Sequence, residues 1–230
     1  MEARRKKERE NKEMNFETSK NLAGIGAILL FIGVLPYINS YLVLPLIGIV
    51  LLLIGLKGLS EYYHEAGIFS NALYGTITVI VGVIVVAAIA FTALLGLISV
   101  LMPSWNCNWA TLASAFSQAD WTSWSTNLTF SEIAPYIGLF FLDYVLMFVF
   151  ALVAALLLRR SLGLLSAKTG IGLFGATGTV LLVGGVLTIV LIGYLLLWVA
   201  MLLFAIALFQ VRQPMPPQTA SPPPMYQAQA

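Results

Sequence analysis

The sequence predicts an all-α, polytopic transmembrane helical bundle, and three observations carry that prediction. Of 230 residues, 60% are apolar and only 10% charged, against roughly 45–50% and about 25% in soluble domains. The apolar residues gather in long runs, at 21–59, 72–102, 137–158 and 171–211, and about 20 such residues suffice for a helix to cross the hydrocarbon layer. None of the runs alternates apolar with polar as a barrel strand does, and backbone groups in lipid must be satisfied within the segment, so the spans are helices.

Charge is concentrated at the start. Arg4, Arg5, Lys6, Lys7, Arg9, Lys12 and Lys20 are seven of the twelve basic residues, interleaved with Glu2, Glu8, Glu10, Glu13 and Glu17. Residues 1–20 therefore read as a charged, helix-tolerant, solvated tail with no apolar face to bury. Its bases can also touch anionic headgroups, at roughly 1 kcal/mol each. The first apolar run continues into a second with no small-residue cleavage site between them, so it reads as a retained span rather than a signal peptide.

The transmembrane domain extends over residues 21–211. Spans at 21–37 and 41–59 form a hairpin, broken at Pro36-Tyr37-Ile38-Asn39-Ser40, and Gly24, Gly26, Gly33, Gly48, Gly55 and Gly58 supply places for close helix approach. A polar connector, 57–65, leads to a third span at 72–102, long enough to demand tilt. The loop 103–136 holds Trp105, Trp109, Trp121 and Trp124, four of the five tryptophans. Trp105, Trp109, Leu112 and Phe116 recur at helical spacing, which predicts an interfacial helix with its indoles at the headgroups. Cys107 in this loop is the single cysteine, so no internal disulfide forms.

A fourth span, 137–158, is closed by Arg159-Arg160. The 41 residues from 171 to 211 would make one helix about 60 Å long, roughly twice the hydrocarbon thickness. They read better as two spans, 171–191 and 194–211, turning near Gly193-Tyr194. No polar cluster marks that turn, so five spans are the alternative. Six of ten positions match when 26–35 is aligned with 178–187, which suggests a duplicated hairpin start. Six spans place every Lys and Arg on one side and none in the loop 103–136. The positive-inside rule then predicts a cell-membrane protein with a cytoplasmic N-terminus and an extracellular loop. Residues 212–230 hold six of the ten prolines and read as a disordered tail of polyproline II character.

Three stretches carry a resemblance: Ser19-Lys20-Asn21-Leu22-Ala23-Gly24-Ile25-Gly26-Ala27-Ile28-Leu29-Leu30, then Gly55-Leu56-Lys57-Gly58-Leu59-Ser60-Glu61-Tyr62-Tyr63 with Ile68-Phe69-Ser70-Asn71-Ala72-Leu73-Tyr74, and Gly185-Val186-Leu187-Thr188-Ile189-Val190-Leu191-Ile192-Gly193. Over residues 19–209 the chain resembles an uncharacterised, mainly archaeal family of multi-span membrane proteins known only as a domain of unknown function. The resemblance implies an archaeal membrane setting and no activity.

Asp143 is the one acidic residue inside a span, where a carboxylate costs about 2.5–3.5 kcal/mol at the centre and is a candidate ion or proton site by default. Thr92, Ser99 and Tyr194 are its conceivable hydrogen-bond partners. Glu61, His64 and Glu65 share a helical face and are weak metal-ligand candidates, because carboxylate-bridged sites draw ligands from several helices. A solvated connector with a Lys57–Glu61 contact is favoured. Gly170-Ile171-Gly172-Leu173-Phe174-Gly175 matches a dinucleotide fingerprint in letters only, since it enters a membrane helix with no preceding strand; close helix packing explains its glycines better. Asn127-Leu128-Thr129 is a glycosylation sequon in the outer loop. Pro223-Pro224-Met225-Tyr226 has the form WW domains bind.

One His, one Cys and one in-span carboxylate assemble no hydrolytic triad, zinc signature or phosphate loop. The expectation is a non-catalytic structural or accessory membrane component, with no cofactor and no nucleic-acid partner. It would interact with the lipid bilayer, a membrane-protein partner or a second copy of itself. The alternative is a small-solute or proton-coupled transporter or channel using Asp143.

Overall fold

The computed structural model describes residues 2–33, 43–101, 129–190 and 192–212, together with 111, 114 and 117. Its elements are helices in the order α1 (Glu2–Gly33), α2 (Val43–Tyr62), α3 (Ala66–Leu101), α4 (Phe130–Thr169), α5 (Gly172–Leu187), a 3-10 turn (Thr188–Val190) and α6 (Ile192–Gln210). Five of them, α2 to α6, are long and apolar enough to cross a bilayer when the 3-10 turn is counted with α5. The chain is a multi-pass helical membrane protein.

Each helix packs on its neighbours in sequence, and α6 returns to pack on α1, so the bundle closes into a ring. The expected hairpins α1–α2, α3–α4 and α5–α6 are all present, and α2–α3 is the least extensive junction in the ring. Helices in lipid gain no hydrophobic energy from meeting, so small residues that let backbones approach must hold them together. Gly26 lies against the backbone of Gly48 and Leu52, and Gly55 against Ser19 and Ala23. Along α3, Gly75, Gly82 and Gly96 receive Leu158, Phe150 and Tyr136 of α4. At the α6–α1 seam, the Trp198 ring stacks on Phe31 at 4.5 Å and its indole N–H donates to the Phe31 carbonyl at 3.2 Å.

The largest buried side chains converge at one end, where Phe16, Leu56, Leu59, Ile68, Leu165, Phe174, Leu208 and Val211 meet. This is also the charged end: Lys57, Glu61, Glu65, Lys168 and Arg212 lie at or beside the helix ends there, and Lys20 lies within α1 at the same level. At the opposite end the lengths diverge. The helices α3 and α4 have 36 and 40 residues, about 54 and 60 Å at 1.5 Å per residue, and they project past the other four.

Several details differ from the sequence reading. Residues 2–20 are helical and continuous with the first apolar segment, and Phe16 is 1% exposed. One aromatic among many charges was enough to dock this segment. Arg159-Arg160 does not end the fourth helix, which runs on to Thr169. Both arginines are exposed, and the Arg159 stem packs where Gly178 leaves room, as long basic side chains do when their heads reach for the interface. The last hairpin turns at 188–190 rather than near Gly193-Tyr194, because Gly193 lies against the Gly184 carbonyl and the backbone of Thr188. Gly193 is thus a packing residue of α6.

The apparent duplication is not a structural one. Gly26 and Gly33 face the helix that follows them, whereas Gly178 and Gly185 face the helix that precedes them, against Arg159 and Ala155.

Candidate functional site

Asp143 is positioned by the α3–α4 seam. It falls seven residues after Tyr136 and seven before Phe150, both of which pack on glycines of α3, and residues seven apart share a helix face. That spacing puts Asp143 on the face of α4 that packs on α3, level with the stretch between Gly82 and Gly96 in which Ala93 is fully buried. Asp143 is 9% exposed, and its Oδ1 is buried without a hydrogen-bond partner. The three expected partners are engaged elsewhere. Thr92 donates to the Ala88 carbonyl at 2.9 Å, Ser99 to the Gly96 carbonyl at 2.7 Å, and Tyr194 to the Met147 sulfur at 3.0 Å.

Next to Asp143, Tyr144 reaches the α5–α6 turn. Its hydroxyl donates to the Ile189 carbonyl, with the Thr188 carbonyl at 3.3 Å. A turn between membrane helices leaves carbonyls without intrahelical donors, and this phenol supplies one. Thr188, buried in the same turn, donates its hydroxyl to the Gly185 carbonyl at 2.6 Å. These contacts set the turn level with Tyr144, about fourteen residues or 21 Å from the start of α4. Asp143 thus sits near the ends of the shorter helices, one residue from Tyr144.

At the charged end the α2–α3 connector is held as a tight cap. The Glu65 N–H donates to the Ser60 carbonyl at 3.0 Å, the Ser60 hydroxyl donates to the Glu65 carbonyl at 2.8 Å, and His64 takes φ +51° between them. That left-handed position after a helix usually carries glycine; here histidine occupies it. The acidic residues do not converge on His64. Glu65 pairs with Lys168 of α4 at 3.2 Å, Lys57 and Glu61 form no ion pair among the described residues, and no group of three or more metal-capable side chains exists among them.

Phe16 packs in this region on Tyr62 with the rings tilted by 48° and centroids 4.5 Å apart, and meets Tyr63 edge-on at 6.3 Å. Burial, with the neighbouring Tyr62 adding to it, pushes the Tyr63 phenol up from 10.0 to about 12. A raised pKa in the folded state means stability that is complete below pH 10 and is lost as pH climbs toward 12, where the unfolded chain ionises first. Unfolding followed at pH 9 and pH 11.5 should show that loss in the wild type and a smaller one in Tyr63→Phe.

The glycines of the 170–175 stretch serve a helix–turn–helix. Gly170 caps α4 at φ 72° with its N–H on the Ser166 carbonyl, Gly175 makes an ordinary contact with Ser166, and nothing lies within 4 Å of a side chain placed at Gly172. Of the sequon, only Thr129 is described; its N–H donates to the Glu132 carboxylate at 3.1 Å at the start of α4. Asn127, Cys107, Trp105, Trp109, Trp121, Trp124 and the Pro-rich stretch from 213 onward lie outside the described residues.

Sequence reasoning missed Ser161, whose buried hydroxyl donates to the Ile68 carbonyl at 2.6 Å and ties α4 to the start of α3. It also passed over Tyr144, Trp198 and Phe16. The signal for Phe16 was its spacing: Phe16, Ala23 and Ala27 fall at i, i+7 and i+11 on one helix face.

The fold defines a multi-pass helical membrane protein in which buried hydroxyls close turns and helix junctions. A family model described as "Protein of unknown function (DUF996)" matches residues 44–202. That match covers α2 to the middle of α6 and more than half of the chain, so the chain belongs to the DUF996 family. It is narrower than the expected 19–209 and leaves α1 outside. No curated protein and no solved structure matches the chain.

Proposed function

We propose that this protein is a non-catalytic accessory component of the cell membrane, which organises lipid or holds a partner polypeptide or a second copy of itself. The carrying observation is where the buried polar side chains direct their hydrogen bonds. Ser60, Ser161, Thr177 and Thr188 each donate to a backbone carbonyl, and the helices interlock through glycine-to-backbone contacts. The Ser161 bond ties two helices, those of Ser60 and Thr188 fix turns, and Thr177 bonds within its own helix; a transport path instead needs several polar groups turned toward a shared cavity near the midplane.

The orientation of the proposal is a cytoplasmic N-terminus with the loop 103–136 outside. Its support is that Lys20, Lys57, Lys168 and Arg212 lie at the same end of the bundle, as the positive-inside rule requires of cytoplasmic ends. Purification from native membranes in mild detergent tests the reading. Stoichiometric retention of lipid, of one partner chain or of a second copy supports it; a folded monomer free of all three would overturn it.

One observation favours a second reading, a proton- or cation-coupled transporter. The Asp143 Oδ1 is buried with no partner, and an unsatisfied carboxyl inside a membrane bundle is a site at which a proton or cation can be exchanged. Here Asp143 would line the path.

A further inference from the structure

A cleft of about 520 Å³ opens between α1 and α2 at the charged end, within the roughly 300–1,000 Å³ that small-molecule sites occupy. Its composition is graded along the bundle axis. At the mouth stand Lys57, Glu61 and Asn15, with Ser19 deeper between the helices; toward the membrane the walls are Leu22 and Ile54. Gly58 forms the floor of the cleft, where the lack of a side chain lets the Ser19 hydroxyl of α1 come up against α2.

The apolar walls continue beyond the cleft. On α2, Ile47, Val50 and Ile54 are exposed and fall with Lys57 and Glu61 at spacings of three and four, so they form one stripe ending in charge. On α1, Leu22 is followed by the exposed Ile25 at the same spacing. A cation above an apolar track at a membrane surface is the complement of one molecule: a phosphate-headed lipid, its headgroup at Lys57 and an acyl chain laid along Ile54 and Val50. Lys57 is available for that role, since the described ion pairs join Lys20 to Glu17 and Lys168 to Glu65. An ammonium group at the cytoplasmic end of a helix groove is where anionic headgroups bind.

We infer that the α1–α2 cleft is a binding site for a single phospholipid, with Lys57 taking the phosphate and Glu61 accepting from an amine or hydroxyl elsewhere in the headgroup. The inference rests on, and narrows, the lipid arm of the proposed function. It gives the chain a particular lipid to carry at the junction of its first hairpin, in addition to the surrounding bilayer.

Native mass spectrometry of the full chain in detergent tests it, with phosphatidylglycerol and diacylglycerol of the same acyl chains as probes. Wild type should retain one phosphatidylglycerol at tenfold or lower concentration than diacylglycerol. Lys57→Gln should weaken retention at least fivefold, Lys57→Arg should restore it, and Ile54→Gln, at an exposed position, should weaken it with the melting temperature unchanged. Millimolar glycerol phosphate should not compete. Undiminished binding by Lys57→Gln and Ile54→Gln, equal retention of diacylglycerol, or displacement by glycerol phosphate would overturn the site. Each of those results leaves the accessory reading standing if a partner chain, a second copy or other lipid still co-purifies.

Discussion

Gly55→Ala should destabilise the protein by on the order of 2 kcal/mol, the range for forcing extra methyl groups into a packed interior, while Gly138→Ala should be neutral or stabilising. A methyl group at Gly55 would lie 2.5 Å from the Ser19 carbonyl oxygen and 2.6 Å from Ala23 Cβ. Those atoms belong to the backbone and to the shortest side chain, so relief requires α1 to move off α2 as a body. At Gly138 nothing lies within 4 Å, and alanine gains about 0.5–1 kcal/mol over glycine inside a helix. Thermal unfolding of both variants in the same detergent checks the pair. Equal effects would show that these glycines do not set the helix spacing.

Phe16→Ala should cost about 3 kcal/mol, the lower end for removing a buried aromatic ring. Phe16 is 1% exposed and, with Phe174, is one of the two largest side chains buried at the charged end. It is also the anchor that brings the otherwise charged helix start onto Tyr62 and Tyr63. Without it, limited proteolysis should cut within residues 1–20 faster than in wild type. Water reaching Tyr63 should also return its phenol from about 12 toward its ordinary 10.0. An unchanged proteolysis rate would mean that the segment is held by something other than this ring.

The architecture was legible because membrane insertion writes it in composition. Runs of apolar residues of bilayer length, with glycines for close contact, gave the helical hairpins in the right order. What the runs could not show was where helices end when no polar residue marks the place. The α5–α6 turn lies among Thr188, Ile189 and Val190 because Tyr144, more than forty residues away, supplies a donor to its carbonyls. Likewise Arg159-Arg160 looked like a terminus, but arginine can lie along a helix and reach outward.

The candidate site was legible in part. Asp143 stood out as the lone acid within a span, and the structure buries it. Its surroundings were not readable, because they depend on the register of α3 against α4, and the hydroxyls of Thr92 and Ser99 are taken up by carbonyls of their own helix. Glu61, His64 and Glu65 shared a helical spacing in sequence. The helix in fact ends at Tyr62, and Glu65 turns to Lys168 across the bundle, so local periodicity misassigned a cap as a cluster.

In the proposed reading, glycine seams and the Ser161–Ile68 hydrogen bond hold the bundle together, and Asp143 lies on no transport path. Proton flux into liposomes carrying the purified protein, under an imposed pH gradient, tests it most directly, with wild type and Asp143→Asn compared at matched protein content. The predicted result is a flux equal to that of protein-free liposomes for both, with each variant folded by its melting profile. A wild-type flux that Asp143→Asn abolishes would overturn that reading and make Asp143 part of a transport path.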